Sequence, residues 1–132
     1  MMEFAKSVPG IGMITAINMI ITSGEFKRIQ YPKRFACYSG VAPFEHRSGT
    51  SFRGKTRVSK MGNKTMKRLL HLAAMAAIKS MSDIKEYYHR KLKQGKNKMS
   101  AINAVRNKLI TRVYSCVQNE RMYQKIYLNQ LA

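Results

Sequence analysis

At 132 residues the chain has the size of one domain, and an apolar content of 45% excludes a disordered polybasic tail. Its 25 Lys and Arg face only 6 Asp and Glu, for a net charge of +19 and a pI near 10.4, so most of the positive field is unneutralised within the chain and a polyanion would relieve the self-repulsion of folding. DNA or RNA is the leading partner; an anionic membrane is the rival, but no run nears 18 apolar residues and the opening MMEFAKSVPGIG lacks the order of a secretory signal.

In chain order, a short helix is expected over Glu3 to Lys6, cut short by the start of the chain. A turn, SVPGIG, leads into MITAINMIITSG, where Ile14, Ile17, Ile20 and Ile21 fall at helical spacing and Gly24 is the stop. The Pro-Gly turn reads as the hairpin of a helix–hairpin–helix-like element. Gly10 and Gly12 would let backbone N–H groups approach a phosphate with no Cβ in the way, and the next helix offers its positive N-terminus. Such turns are common, so a plain structural turn is the equal alternative; Ile11 packs inward in either case. YPKRFACYSG then reads as a short helix, with Pro32 in its first turn and Gly40 at its end.

Residues 41–62 form a glycine-rich basic loop with room for a small hairpin. Three longer helices follow. The first starts at Asn63 as N-cap and carries Met66, Leu69, Leu70, Ala73, Ala77 and Ile78 on one stripe. The second, SDIKEYYHRKLKQG, takes Ser82 as N-cap with Glu86 near the capping-box position, and closes at Gly95. The third places Ile102, Val105, Leu109, Val113, Cys116 and Val117 three or four apart. The expected fold is mainly α, one domain over residues 1–132, without repeats or a low-complexity linker. Cys37 and Cys116 lie far apart with no CxxC pattern, so buried thiols of a cytoplasmic protein are expected rather than zinc. The ten methionines read as core filler.

The chemistry concentrates in EHRSGTSFRGKTRVSKMGNKTMKR, residues 45–68, which holds eight Lys or Arg after its one acid, Glu45. No carboxylate pair stands ready for Mg²⁺: Asp83 and Glu86 read as a capping acid and a solvated acid. Phosphoryl chemistry here would need a protein nucleophile, and a serine can serve if a base takes its proton and cations stabilise the transition state. Ser48 sits between Arg47 and Gly49, with Ser51, Arg53, Arg57 and Lys60 behind it and Lys64 and Arg68 on the following helix. Arginine suits the task because its planar fork binds two phosphate oxygens at once. A plainer reading stays open, in which Ser48 and Ser51 form turns and the arginines only grip phosphate. His46 is a candidate base or a phosphate contact; His71 and His89 read as structural or surface residues. Tyr87 and Tyr88 are candidates for base stacking or for the core.

The ordered string PGIG, then FACYSGVAPFEHRSG, then RG, R, SK, G and the leading arginine of a helix resembles the C-terminal transposase domain of the DEDD-type insertion-sequence transposases, the bridge-RNA-guided recombinases. The resemblance runs from Ser7 through Ala77. It implies that Ser48 is the nucleophile, attacking a DNA phosphodiester to give a covalent protein–DNA intermediate that conserves bond energy for rejoining. It also implies guide RNA, DNA at transposon ends and target, a homo-oligomer in the full-length protein, and a bacterial, nucleoid-associated setting with no membrane. In such proteins an RNase-H-like (RuvC-like) domain binds Mg²⁺ through four acids and is followed by a coiled coil. Neither has a counterpart here, which places a boundary just upstream of SVPGIG. No cofactor is expected in this chain, and alone it is expected not to cleave DNA. The alternative is a non-catalytic nucleic-acid-binding domain built on the PGIG hairpin and the basic loop; a covalent Ser48–DNA adduct separates the two.

Overall fold

Six helices make up the described part of the chain, residues 1–41 and 63–124 of a computed structural model, and no strand occurs among those residues. They are α1 (Met2–Lys6), α2 (Met13–Ser23), α3 (Pro32–Tyr38), α4 (Lys64–Ser80), α5 (Ser82–Lys93) and α6 (Lys98–Gln118). The all-α expectation holds; the suggested small hairpin lies outside the described residues.

Local signals set most boundaries. Asn63 Oδ1 accepts a hydrogen bond from the Met66 N–H at 3.0 Å and opens α4, and Asn97 does the same for α6 through Ser100 N–H at 2.8 Å. Gly24 ends α2 in the left-handed region at φ 62°. The start of α5 departs from expectation. Met81 serves at once as the C-terminal cap of α4 and the N-terminal cap of α5, so no side chain caps α5 and Ser82 is already its first residue. With one residue between two helices, no extended position is left for Ser82 to occupy, and its capping box with Glu86 does not form.

The centre of the fold is α6, which spans about 31 Å at 1.5 Å per residue and packs against α1, α3, α4 and α5. Val105, Leu109 and Val113 are fully buried on it and share one core with Met66, Leu70, Ile84 and Phe35. Tyr114 donates to the Ile29 carbonyl at 2.7 Å, and its ring takes Phe26 edge-on at 4.9 Å. Burial pushes its phenol well above the ordinary range.

The isoleucines of α2 are helical as spaced but face outward, Ile14 and Ile21 being 66% and 68% exposed. The buried face is Thr15, Ala16, Met19, Thr22 and Ser23. Small side chains let α2 lie close to α4, and the hydroxyls find partners: Ser23 Oγ accepts from Phe26 N–H at 2.9 Å and Thr22 Oγ1 from Asn63 Nδ2 at 3.4 Å. The methionines divide as well. Met19 and Met66 are core residues, whereas Met13 and Met99 are exposed.

Asp83 is neither a bare cap nor a solvated acid: it accepts from Arg112 Nη2 of α6 at 2.5 Å. Burial acts to raise its carboxyl, but the hydrogen bond and charge of Arg112 outweigh that and hold it below the ordinary carboxylate value. A carboxyl depressed in the folded state adds stability above its unfolded pKa, and loses that contribution as the pH falls through the folded value. Asp83→Asn should therefore melt lower than the parent at pH 7, with the gap closing as the pH drops below about 4. A gap of the same size at pH 7 and pH 2.5 in thermal melts would refute this role.

Candidate nucleic-acid interface

Ser48, with Arg47, Gly49, Ser51, Arg53, Arg57, Lys60 and the candidate base His46, lies outside the described residues. Gly10, Gly12, Lys64 and Arg68 lie within them, as do both ends of the basic segment. Val41 is buried; its N–H donates to the Ala36 carbonyl at 3.0 Å, and its carbonyl accepts from Asn107 Nδ2 of α6 at 3.2 Å. At the other end Asn63 N–H donates to the Tyr38 carbonyl at 2.9 Å. Residues 41 and 63 are thus tied to α3, α4 and α6 on one side of the fold.

Cations and aromatic rings gather around this anchorage. Lys64, Lys67 and Arg68 are exposed on the first turns of α4, and their spacing of three and four places them on one face. Beside the end of α3, Arg28, Ile29, Arg34 and Tyr38 line a cavity of about 360 Å³. Arg28 is held there by donating to the Thr22 carbonyl at 2.8 Å, and Tyr38 is half exposed. A guanidinium fork offers paired donors to phosphate, and a phenol face offers a stacking surface. Sequence reading missed this group; the signal was there, in two tyrosines, Tyr31 and Tyr38, bracketing the basic helix YPKRFACY.

The two glycines of PGIG are placed differently. Gly10 has φ +96° and lies against α4, where a Cβ would stand 2.9 Å from the Ala73 carbonyl oxygen. Gly12 is exposed, nothing within 4 Å would meet a Cβ on it, and it caps α2 with no side chain bonded to the first-turn N–H groups. Ile11 is buried.

Arg106 of α6 is only 2% exposed, and its Nη2 donates to His71 Nδ1 of α4 at 2.9 Å. Because guanidinium only donates, that ring nitrogen is the acceptor and the imidazole proton sits on Nε2. Among the described residues Nε and Nη1 of Arg106 meet no acceptor, and burial draws the guanidinium below the ordinary arginine range. Its place four residues after Ile102 and four before Ile110 was the available signal. His89 is exposed beside Tyr88, and Tyr87 and Tyr88 both pack on the core.

Both cysteines are buried and neither is in a disulfide. Burial pushes the Cys116 thiol up, away from nucleophilic use. Among the described residues no three His, Cys, Asp or Glu side chains converge on a possible metal position, and no helix is long and apolar enough to cross a membrane.

A family model described as Transposase IS116/IS110/IS902 family matches residues 2–89, which takes in α1 to α4, the basic segment and most of α5. The pilin gene-inverting protein of Moraxella lacunata is 28% identical over 120 residues, covering 90% of this chain and 37% of its own length. An uncharacterised 43.6 kDa protein of insertion element IS110 from Streptomyces coelicolor is 28% identical over 118 residues, covering 89% and 29%. The transposase for insertion sequence element IS1111A of Coxiella burnetii is 24% identical over 122 residues, covering 90% and 33%. The chain therefore spans about a third of the length of these relatives.

Proposed function

The chain belongs to the IS116/IS110/IS902 transposase family, and from that premise we propose that it is the DNA-binding catalytic module of an insertion-sequence transposase, with Ser48 as the nucleophile for strand cleavage and exchange. The supporting observation is the Ser48–Gly49 pair inside a segment of five Lys and Arg between residues 41 and 63, which are themselves fastened to three helices. One relative is named for inverting a gene and another as a transposase; both processes break and rejoin DNA.

In this reading Ser48 Oγ bonds to the phosphorus of a DNA phosphodiester as its proton passes to a base. The bond to the deoxyribose oxygen breaks, and the departing oxygen takes up a proton. The hydroxyl of another strand then gives up its proton and attacks the serine phosphodiester; the bond to Ser48 Oγ breaks, that oxygen takes up a proton, and the new strand is closed. Arg47, Arg53 and Arg57 neutralise the charge carried by the phosphoryl oxygens in both steps. Guide RNA and a homo-oligomer belong to the same proposal for the full-length protein. Mg²⁺ belongs to an acidic domain outside this chain. The described residues here do not fit such an ion, Asp83 being engaged by Arg112.

The binding half of the proposal is tested on the isolated chain with duplex DNA. If roughly 6–8 phosphates are contacted, log affinity should fall with log salt at a slope of about −5 to −7. Arg53→Ala with Arg57→Ala should weaken binding and flatten the slope, while His89→Ala should change little. Tight binding that ignores salt between 50 and 200 mM would refute it.

A further inference from the structure

Three cations converge on one ring where α5 meets α6. Lys108 Nζ lies 4.4 Å from the centroid of Tyr87, and Arg90 Cζ and Lys91 Nζ each lie 5.4 Å from it. Of the two carboxylates on α5, Asp83, which acts on Lys108, is taken by Arg112, and among the described residues none of the three cations has an ion-pair partner. Ordinary solvated lysines splay apart. Here three long side chains are gathered at a cost in rotamer freedom and mutual repulsion that one aromatic face offsets only in part.

We propose that Arg90, Lys91 and Lys108, gathered over Tyr87, form a second phosphodiester-binding post that holds a nucleic-acid backbone on the α5–α6 face. Burial, and then repulsion from Arg112, Arg90 and Lys91, destabilise the charge on Lys108 by more than the attraction of Asp83 restores, which is the electrostatic condition that an added anion relieves. The donors of a guanidinium and two ammonium groups match the several oxygens of a phosphate. A polymer fits better than a lone phosphate because of where the post stands. Asn107 holds Val41, at the edge of the basic segment, and Lys108 is the next residue, so both lie at one level of α6. A strand gripped near residues 41 and 63 can run across α6 to the post. More cations stand at the α5–α6 junction, with Lys93 ending α5, Lys96 in the turn and Lys98 opening α6, all exposed. The post takes from the transposase reading only that the ligand is nucleic acid, and it does not depend on Ser48.

The test compares Arg90→Gln/Lys91→Gln/Lys108→Gln with a control of equal charge loss, Lys6→Gln/Lys27→Gln/Lys79→Gln. Binding of duplex DNA and of single-stranded RNA of matched length is followed by fluorescence anisotropy across a salt series, and the melting point of each free protein is recorded. The post variant should bind at least tenfold more weakly than the parent near 100 mM salt, with a slope shallower by roughly 2–3, and the control should shift its slope by less than about 1. A loss on DNA, RNA or both supports the post, the larger loss naming the strand it holds. The free post variant should melt at or above the parent, because crowded cations are gone. Equal losses in post variant and control, or a post variant that melts clearly lower, overturn the proposal. Since the readout is binding, a failed Ser48 assignment would leave these results intact.

Discussion

Carried within a complete transposase of the family, Ser48→Ala should abolish strand exchange, a loss on the order of 10⁴-fold or more as expected for removal of a covalent nucleophile, while DNA and RNA binding stays close to that of the parent. One hydroxyl adds no charge to a segment of eight Lys and Arg, so the affinity term set by counterion release is nearly unchanged. The same segment supplies its own controls. Ser51 precedes Phe52, and its hydroxyl suits a turn or a phosphate contact. Ser59 precedes Lys60 near the start of α4, where a local backbone hydrogen bond is the use that serine favours. Ser51→Ala and Ser59→Ala should lower rate or stability without stopping the reaction. Denaturing gels with labelled DNA should show an adduct that Ser48→Ala removes, and peptide mapping should place it on residue 48. Normal recombination by Ser48→Ala, or an adduct on Ser51, would transfer the role elsewhere and leave Ser48 as a turn residue.

The features legible in the sequence are those decided within one or two helical turns. Asn63 capping α4, Pro32 opening α3, Gly24 closing α2 and the stripe of α6 all depend on neighbours three or four residues away. The outward turn of the α2 isoleucines was not legible, because periodicity fixes which residues share a face and not which face the rest of the protein covers. What decides it is the approach of α4, more than forty residues on, which admits Thr15, Ala16 and Thr22 in place of bulky side chains. The Asp83–Arg112 pair, 29 residues apart, and the Arg106–His71 contact, 35 apart, are tertiary in the same way. So is the site. Residue types made Ser48 and its arginines candidates beside a plain turn reading, and the family resemblance named Ser48 the nucleophile, yet the fastening of Val41 by Asn107, across 66 residues, and the place of Lys108 over Tyr87 required helices to be placed against each other.

The turn that the sequence left undecided, phosphate contact or plain support, is separated by its two glycines. Gly10→Val should unfold the protein or lower its stability by about 3 kcal/mol or more, a large part of the 5–15 kcal/mol that holds a domain together. Two costs combine. At φ +96° a side chain is in the left-handed region, at roughly 1–2 kcal/mol for an L-residue. The added Cβ would also press to 2.9 Å from the Ala73 carbonyl oxygen and 3.3 Å from Ala77 Cβ. The obstacle is helix backbone rather than a flexible side chain, so relief requires the turn to lift off α4, taking buried Val8 and Ile11 with it. Gly10→Ala, the milder form, keeps the experiment readable if valine fails to fold. Gly12→Ser is the counterpart: φ is −92°, space is open, and the hydroxyl can cap the first-turn N–H groups of α2. It should leave the melting point unchanged or raise it slightly. If those N–H groups bind phosphate, it should also weaken DNA binding by competing for them. A Gly10→Ala protein as stable as the parent but weaker on DNA would reverse this division, making Gly10 the residue that meets the phosphate.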